Sequence, residues 1–256
     1  MNKAVKKLAE AVRPYADLRA LANPRHTSNS EEWMTPTDVI EAARALMGGI
    51  DLDPASSAEA NTRVKARRFY GPGAGSAGAD GLSKPWKGKV FLNPPGGHCD
   101  SLGRRVVKGS KASPGCTETG ACGLPPGHEH VGVESAAKRW WWQLAGEWHA
   151  GRVEEAVFLG FSIEILQTTQ GANPGVASAD RDEAAPIPLD FPLCIPARRL
   201  AFVRKDATGR LVPVSGMTHA SVIVYLPPMQ RDESRVVLVK DVAAMRRAFG
   251  ALGRCR

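Results

Sequence analysis

A short apolar run that halts at two prolines constrains this chain more than any other feature. Lys89-Val90-Phe91-Leu92 is compact and apolar and leads directly into Asn93-Pro94-Pro95-Gly96. Such a run between turn signals reads as a buried strand, and proline, with no N–H donor and a fixed φ, ends it. Further strands are expected at 50–52, 156–161, 200–204 and 221–226, the 200–204 and 221–226 runs flanking a turn near Thr208-Gly209. Helical patterns fall between them. One is capped at Thr37-Asp38, runs through Val39, Ile40, Ala43 and Leu46, and stops at Gly48-Gly49. A second opens at Ser56 as cap, with Glu59 three residues on in a capping box. A third covers 135–149, and a basic helix covers 238–252. Strands alternating with helices specify an α/β sheet.

Residues 1–30 read as a basic N-terminal arm, with six Lys/Arg against two acids and a helical pattern broken at Pro14. Residues 31–256 read as one domain. Within it, 71–80 is a Gly-rich loop, 171–190 a Pro/Ala/Asp-rich loop, and 97–135 an irregular insertion holding three of the five cysteines. The net charge of +8 and the pI near 9.4 point toward a polyanionic partner. No apolar run approaches the ~20 residues that span a bilayer, so no membrane association is expected. The first residues lack a continuous apolar core for a signal peptide, and an odd cysteine count argues against a disulfide framework. A cytoplasmic setting is the expectation.

In open α/β sheets, ligands bind just beyond the carboxyl ends of the strands. The Asn93-Pro94-Pro95 corner stands at such an end. Its prolines remove two donors and stiffen the turn, which leaves the Asn93 side-chain carbonyl and the Pro94 main-chain carbonyl as fixed acceptors. Two such acceptors can bind an exocyclic amino group and draw its lone pair out of conjugation. A plain strand-ending turn would have the same sequence.

The corner does not stand alone. Glu32-Trp33-Met34-Thr35-Pro36 precedes the first helix, Asp51-Leu52-Asp53-Pro54-Ala55-Ser56 ends the first strand, and Asp80-Gly81-Leu82-Ser83-Lys84-Pro85-Trp86 leads into the corner strand. This ordered series resembles the phage-type DNA adenine-N6 methyltransferases, the Dam-like family of S-adenosylmethionine-dependent enzymes. The likeness is closest over 31–97 and continues more loosely through 151–161, 194–203 and 221–226. It implies an abbreviated Rossmann-like sheet with helices on both faces, and S-adenosylmethionine as cofactor. It further implies double-stranded DNA as partner, a phage or prophage setting in a host cytoplasm, and methyl transfer to adenine N6. By the same resemblance, Asn93, Pro94 and Pro95 form the catalytic corner. Trp33, Thr35 and Pro36 pack on the cofactor, and Asp51 or Asp53, with Pro54, meets its methionine or ribose portion. Asp80 either binds the cofactor's adenine amino group or anchors the Gly-rich loop. Asp53 and Ser56 also stand where helix capping alone would place them.

Two departures stand out. The family carries an aromatic residue after Asn-Pro-Pro, which stacks on the extruded base, whereas this chain has Gly96; Trp140, Trp141 and Trp142 are candidates to replace it. Only 40 positions separate Asp53 from Asn93, short for a full half-sheet, so the sheet is expected to be abbreviated. Cys116, Cys122, His128 and His130 are ligand types suited to a structural zinc, at spacings wider than the usual C-x2–4-C. The insertion is thus a candidate zinc knuckle or target-recognition loop. Two alternatives stay open: an amino-methyltransferase acting on cytosine N4 or on RNA, and a catalytically silent DNA-binding relative.

Overall fold

A computed structural model describes residues 33–74, 81–99, 105–106, 134–170, 186–214, 219–232, 235–237 and 241–256. The predicted arm, Asp80, and Cys116, Cys122, His128 and His130 lie outside the described residues.

Seven strands form the central sheet: β1 (Leu52–Asp53), β2 (Arg68–Phe69), β3 (Gly88–Leu92), β4 (Val153–Gly160), β5 (Leu193–Pro196), β6 (Val222–Leu226) and β7 (Gly253–Cys255). Their order across the sheet is β2-β1-β3-β4-β6-β5-β7. The first four run parallel, with Leu52 level with both Arg68 and Val90 and Leu92 level with Phe158. The other three are antiparallel, with Val224 opposite Phe158 and Cys255 opposite Cys194.

The period of two along these strands sends side chains alternately to two cores. Val90, Leu92, Phe158, Val222 and Val224 face one cluster, which α3 (Ala136–His149) covers with Trp141, Leu144 and Trp148. Phe91, Val157, Leu159, Ile223 and Tyr225 face the other. That side is covered by α1 (Thr37–Met47), through Val39, Ile40 and Ala43, and, after the one-turn α4 (Ile165–Thr168), by α5 (Val242–Phe249), through Met245 and Phe249. Burial on both faces explains why β3, β4 and β6 read as nearly continuous apolar runs. The indoles are tied at their polar end: Trp86 Nε1 donates to the Gly81 carbonyl at 2.8 Å, Trp141 Nε1 to Pro186 at 3.0 Å and Trp148 Nε1 to Pro227 at 2.8 Å.

Several local expectations shift. In α2 (Ala58–Val64) the cap is Ser57, whose hydroxyl accepts from the Ala60 N–H at 3.0 Å. Ser56 is instead drawn into the sheet edge, its N–H donating to the Tyr70 carbonyl at 2.9 Å. The last helix is shorter than 238–252 because Gly250 and the turn after it release the chain into β7, a strand the sequence did not announce. Of the run at 200–204, the Val203–Lys205 part pairs with Leu211–Pro213 in a separate hairpin, whereas 221–226 joins the central sheet. In the insertion, His98–Cys99 pairs with Arg105–Val106 and with Glu134–Ser135.

Candidate active site

The chain passes from β1 outward to β2 and then returns to β3 on the other side of β1. The order therefore reverses between β1 and β3, which is the topological switch point where open α/β sheets leave a crevice for ligands. Asp53 ends β1, and Asn93 follows β3 directly. Two of the residues singled out in the sequence thus stand side by side at the carboxyl ends of neighbouring parallel strands.

Asn93 is held in one orientation. Its Nδ2 donates to Thr35 Oγ1 at 3.0 Å. With the amide nitrogen committed there, Oδ1 is left as an acceptor. Pro94 is buried while Pro95 and Gly96 are exposed, so the corner breaks the surface at its tip. Neither Asn93 Oδ1 nor the Pro94 carbonyl accepts a hydrogen bond from another described residue.

Thr35 is itself fixed. Met34 exchanges two main-chain hydrogen bonds with Val203, at 2.8 and 3.1 Å, and Arg63 Nη2 donates to the Thr35 carbonyl at 3.2 Å and to Thr37 Oγ1 at 2.8 Å. Thr35 and Pro36 are buried, whereas Trp33 is 40% exposed with its ring tilted against Phe202 at 6.5 Å. The Trp33-to-Pro36 segment is therefore joined to the corner across 58 positions of sequence through Thr35 and Asn93.

Asp53 is 3% exposed, and burial pushes its carboxyl up to about 7, against the pull of the nearby Ser56 hydroxyl and the Ala55 N–H, which donates to Oδ1 at 3.2 Å. The Ser56 hydroxyl is buried near that carboxyl but makes no hydrogen bond of ordinary geometry to any described residue. A half-satisfied buried carboxyl beside an orphaned hydroxyl is suited to a cationic or multiply hydroxylated ligand group. Asp51, by contrast, is occupied at the amino end of β1. It pairs with Arg67 at 3.2 Å and accepts from the Lys89 N–H at 3.0 Å. Of the two carboxylates, Asp53 is the one at the carboxyl end of β1 and without an ion-pair partner among the described residues. Pro54 is buried beside it, and its carbonyl lies so close to Gly81 that a Cβ there would stand 1.9 Å away. This contact brings the start of the Gly81–Trp86 segment against Pro54.

The tryptophans are settled differently. Trp140 is 7% exposed and stacks on Trp86 at 5.7 Å, Trp141 is fully buried, and Trp142 packs on the same core with its Nε1 buried and unpartnered among the described residues. Trp141 is therefore a core residue, whereas the Trp140 ring reaches Gly81, where a Cβ would stand 2.9 Å from its edge. The aromatic ring beside Gly96 belongs to Phe161, the residue after β4, which the sequence offered only as the end of an apolar run. Arg63 turns inward to Thr35, whereas the neighbouring Lys65, Arg67 and Arg68 are exposed.

Among the described residues, no three His, Cys, Asp or Glu side chains converge as a metal site, and no helix is long and apolar enough to cross a membrane. Two surface hollows lie away from the corner. One is lined by Arg246, Gly253 and Arg254 at the β7 edge, and the other by Leu46, Asp241 and Arg247 between α1 and α5. Comparison with family models, curated proteins and solved structures finds no match.

Proposed function

We propose that this protein is an S-adenosylmethionine-dependent methyltransferase acting on the N6 amino group of adenine in double-stranded DNA. The observation that supports this is the Thr35–Asn93 hydrogen bond, which commits Nδ2 and leaves Asn93 Oδ1 as an acceptor after β3, the strand beside the one that ends at Asp53. The strand order, parallel from β2 to β4 with α1, α3 and α5 on both faces, supports an abbreviated Rossmann-like sheet.

Asp53 would hold the cofactor's ammonium group or ribose hydroxyls, with Trp33 and Pro36 against its flat portion. When bound, S-adenosylmethionine supplies a methyl group on a sulfonium sulfur, an electrophile that needs no further activation. A base inside a duplex cannot reach the corner, so the target adenine must leave the stack. Asn93 Oδ1 and the Pro94 carbonyl then accept the two amino hydrogens. That draws the nitrogen lone pair out of the ring and aims it along one line. No side chain has to remove a proton before attack; the proton on the methylated amine leaves afterwards to water.

Asn93→Ala is expected to abolish methyl transfer to DNA while S-adenosylmethionine still binds. Transfer at the wild-type rate by that variant would remove the proposed role of the corner. Gly96 favours a second function, a silent DNA-binding relative, because it lacks the usual stacking ring. Titration with S-adenosylmethionine separates the two, since the silent protein would bind DNA without taking up cofactor.

A further inference from the structure

Gly96 stands where the resemblance implies an aromatic side chain, yet nothing in its backbone demands glycine. Its φ is outside the left-handed region, unlike that of Gly97 at +95°. Among the described residues, a Cβ built on Gly96 would meet only the ring edge of Phe161, with Cε1 and Cζ each at 3.8 Å. The space beside the corner that a residue-96 side chain would enter is thus already bordered by an aromatic ring from the neighbouring strand.

The sheet places that ring. β3 and β4 are parallel with Leu92 level with Phe158, so continuing both strands by three residues sets Phe161 level with Pro95. Gly160 seats the chain tightly before it, since a Cβ there would lie 3.1 Å from both Ile165 and Val222. Just after it, the Ile163 N–H donates to the Ala220 carbonyl at 2.7 Å. Phe161 is half-buried, packs on the core cluster that α3 covers, and lies in a T-shaped contact with His219 at 5.9 Å and 84°. An aromatic ring held by packing on the core and by one neighbouring ring is a preorganised candidate for stacking.

We propose that Phe161 supplies the face on which the target base stacks, in place of the side chain missing at Gly96, with His219 bracing the ring. This rests on the methyltransferase function proposed above. Phe161 touches the base plane and orients it; the acceptors for the amine remain Asn93 and Pro94. Stacking of one base on an aromatic side chain corresponds to ~5- to 150-fold in affinity.

The experiment measures methyl transfer from labelled S-adenosylmethionine to unmethylated mixed-sequence DNA, with KM determined separately for DNA and for cofactor. The proteins are the wild type, Phe161→Leu, Phe161→Trp and the double variant Phe161→Leu/Gly96→Tyr. Phe161→Leu is expected to raise KM for DNA by ~5- to 150-fold while leaving KM for cofactor near the wild-type value. Phe161→Trp should stay close to wild type. The double variant should recover, because a ring reaching out from residue 96 refills the vacated space. An active wild type with a Phe161→Leu variant of unchanged KM for DNA overturns the stacking role alone, as does a loss shared equally by both KM values. A wild type that binds cofactor and DNA but transfers no methyl group overturns the functional assignment and the stacking role with it.

Discussion

Replacing Asp53 with asparagine is expected to stabilise the protein at neutral and alkaline pH, although the residue stands in the proposed cofactor site. Burial holds its carboxyl at about 7 in the folded chain against 3.8 for the free side chain. Between those values the folded state binds the proton more tightly than the unfolded state. This group's contribution to stability is therefore intact below pH 3.8, declines as pH rises, and is fully spent above about 7. At ~1.4 kcal/mol per tenfold change in proton affinity, the complete loss is about 4 kcal/mol. Some 1.5 kcal/mol of it has gone by pH 5, so roughly 2.5 kcal/mol remains to be lost between pH 5 and pH 8. Asparagine keeps an acceptor for the Ala55 N–H and removes the ionisation. Urea unfolding of both proteins across that range should show the stability gap widening by roughly 2.5 kcal/mol in favour of the variant. Parallel pH profiles would refute the reasoning. The same chemistry has a ligand-side consequence. A cationic group brought against Asp53 restores its ionised form, so binding of S-adenosylmethionine near pH 6 should release a proton, and Asp53→Asn should bind with none released.

Thr35→Val removes the oxygen that receives Asn93 Nδ2 and frees the amide to rotate; a stability loss of about 1 kcal/mol should accompany a much larger loss of methyl transfer, with cofactor binding kept. Tyr225→Phe leaves the buried Glu155 carboxylate without its phenol donor and is expected to cost about 1–3 kcal/mol by urea unfolding, without altering cofactor affinity. Ser57→Ala should cost about 1 kcal/mol through the lost cap on α2.

Where the burial pattern is local, the sequence announces the structure. The apolar runs of β3, β4 and β6 are buried on both faces, and the helix stop at Gly48 follows from its positive φ of 69°. The cap on α2 was displaced by one residue because Ser56 and Ser57 are equally good local caps, and only pairing with Tyr70 decides between them. β7 has three residues, begins with glycine, and exists through its pairing with β5, so it left no periodic trace. At the candidate site, the Asn93-Pro94-Pro95 corner and the Asp51–Asp53 turn are visible in the sequence as strand-ending segments, and the structure places both at the ends of strands. Which carboxylate is available is not visible there, since Asp51 is occupied by Arg67. The Thr35–Asn93 bond and the approach of Phe161 to Gly96 depend on strands brought together by the sheet, and no pattern of spacing encodes them.

The most direct test of the central claim is the identity of the product nucleoside. Unmethylated duplex DNA is incubated with S-adenosylmethionine and the wild-type protein, or with Asn93→Ala, then digested to nucleosides and separated by mass and retention. N6-methyladenosine in its deoxy form should accumulate with the wild type and be absent with the variant. Methylated product at equal levels with both proteins, or none with a wild type shown to bind the cofactor, would contradict an amine held by the oxygens of Asn93 and Pro94.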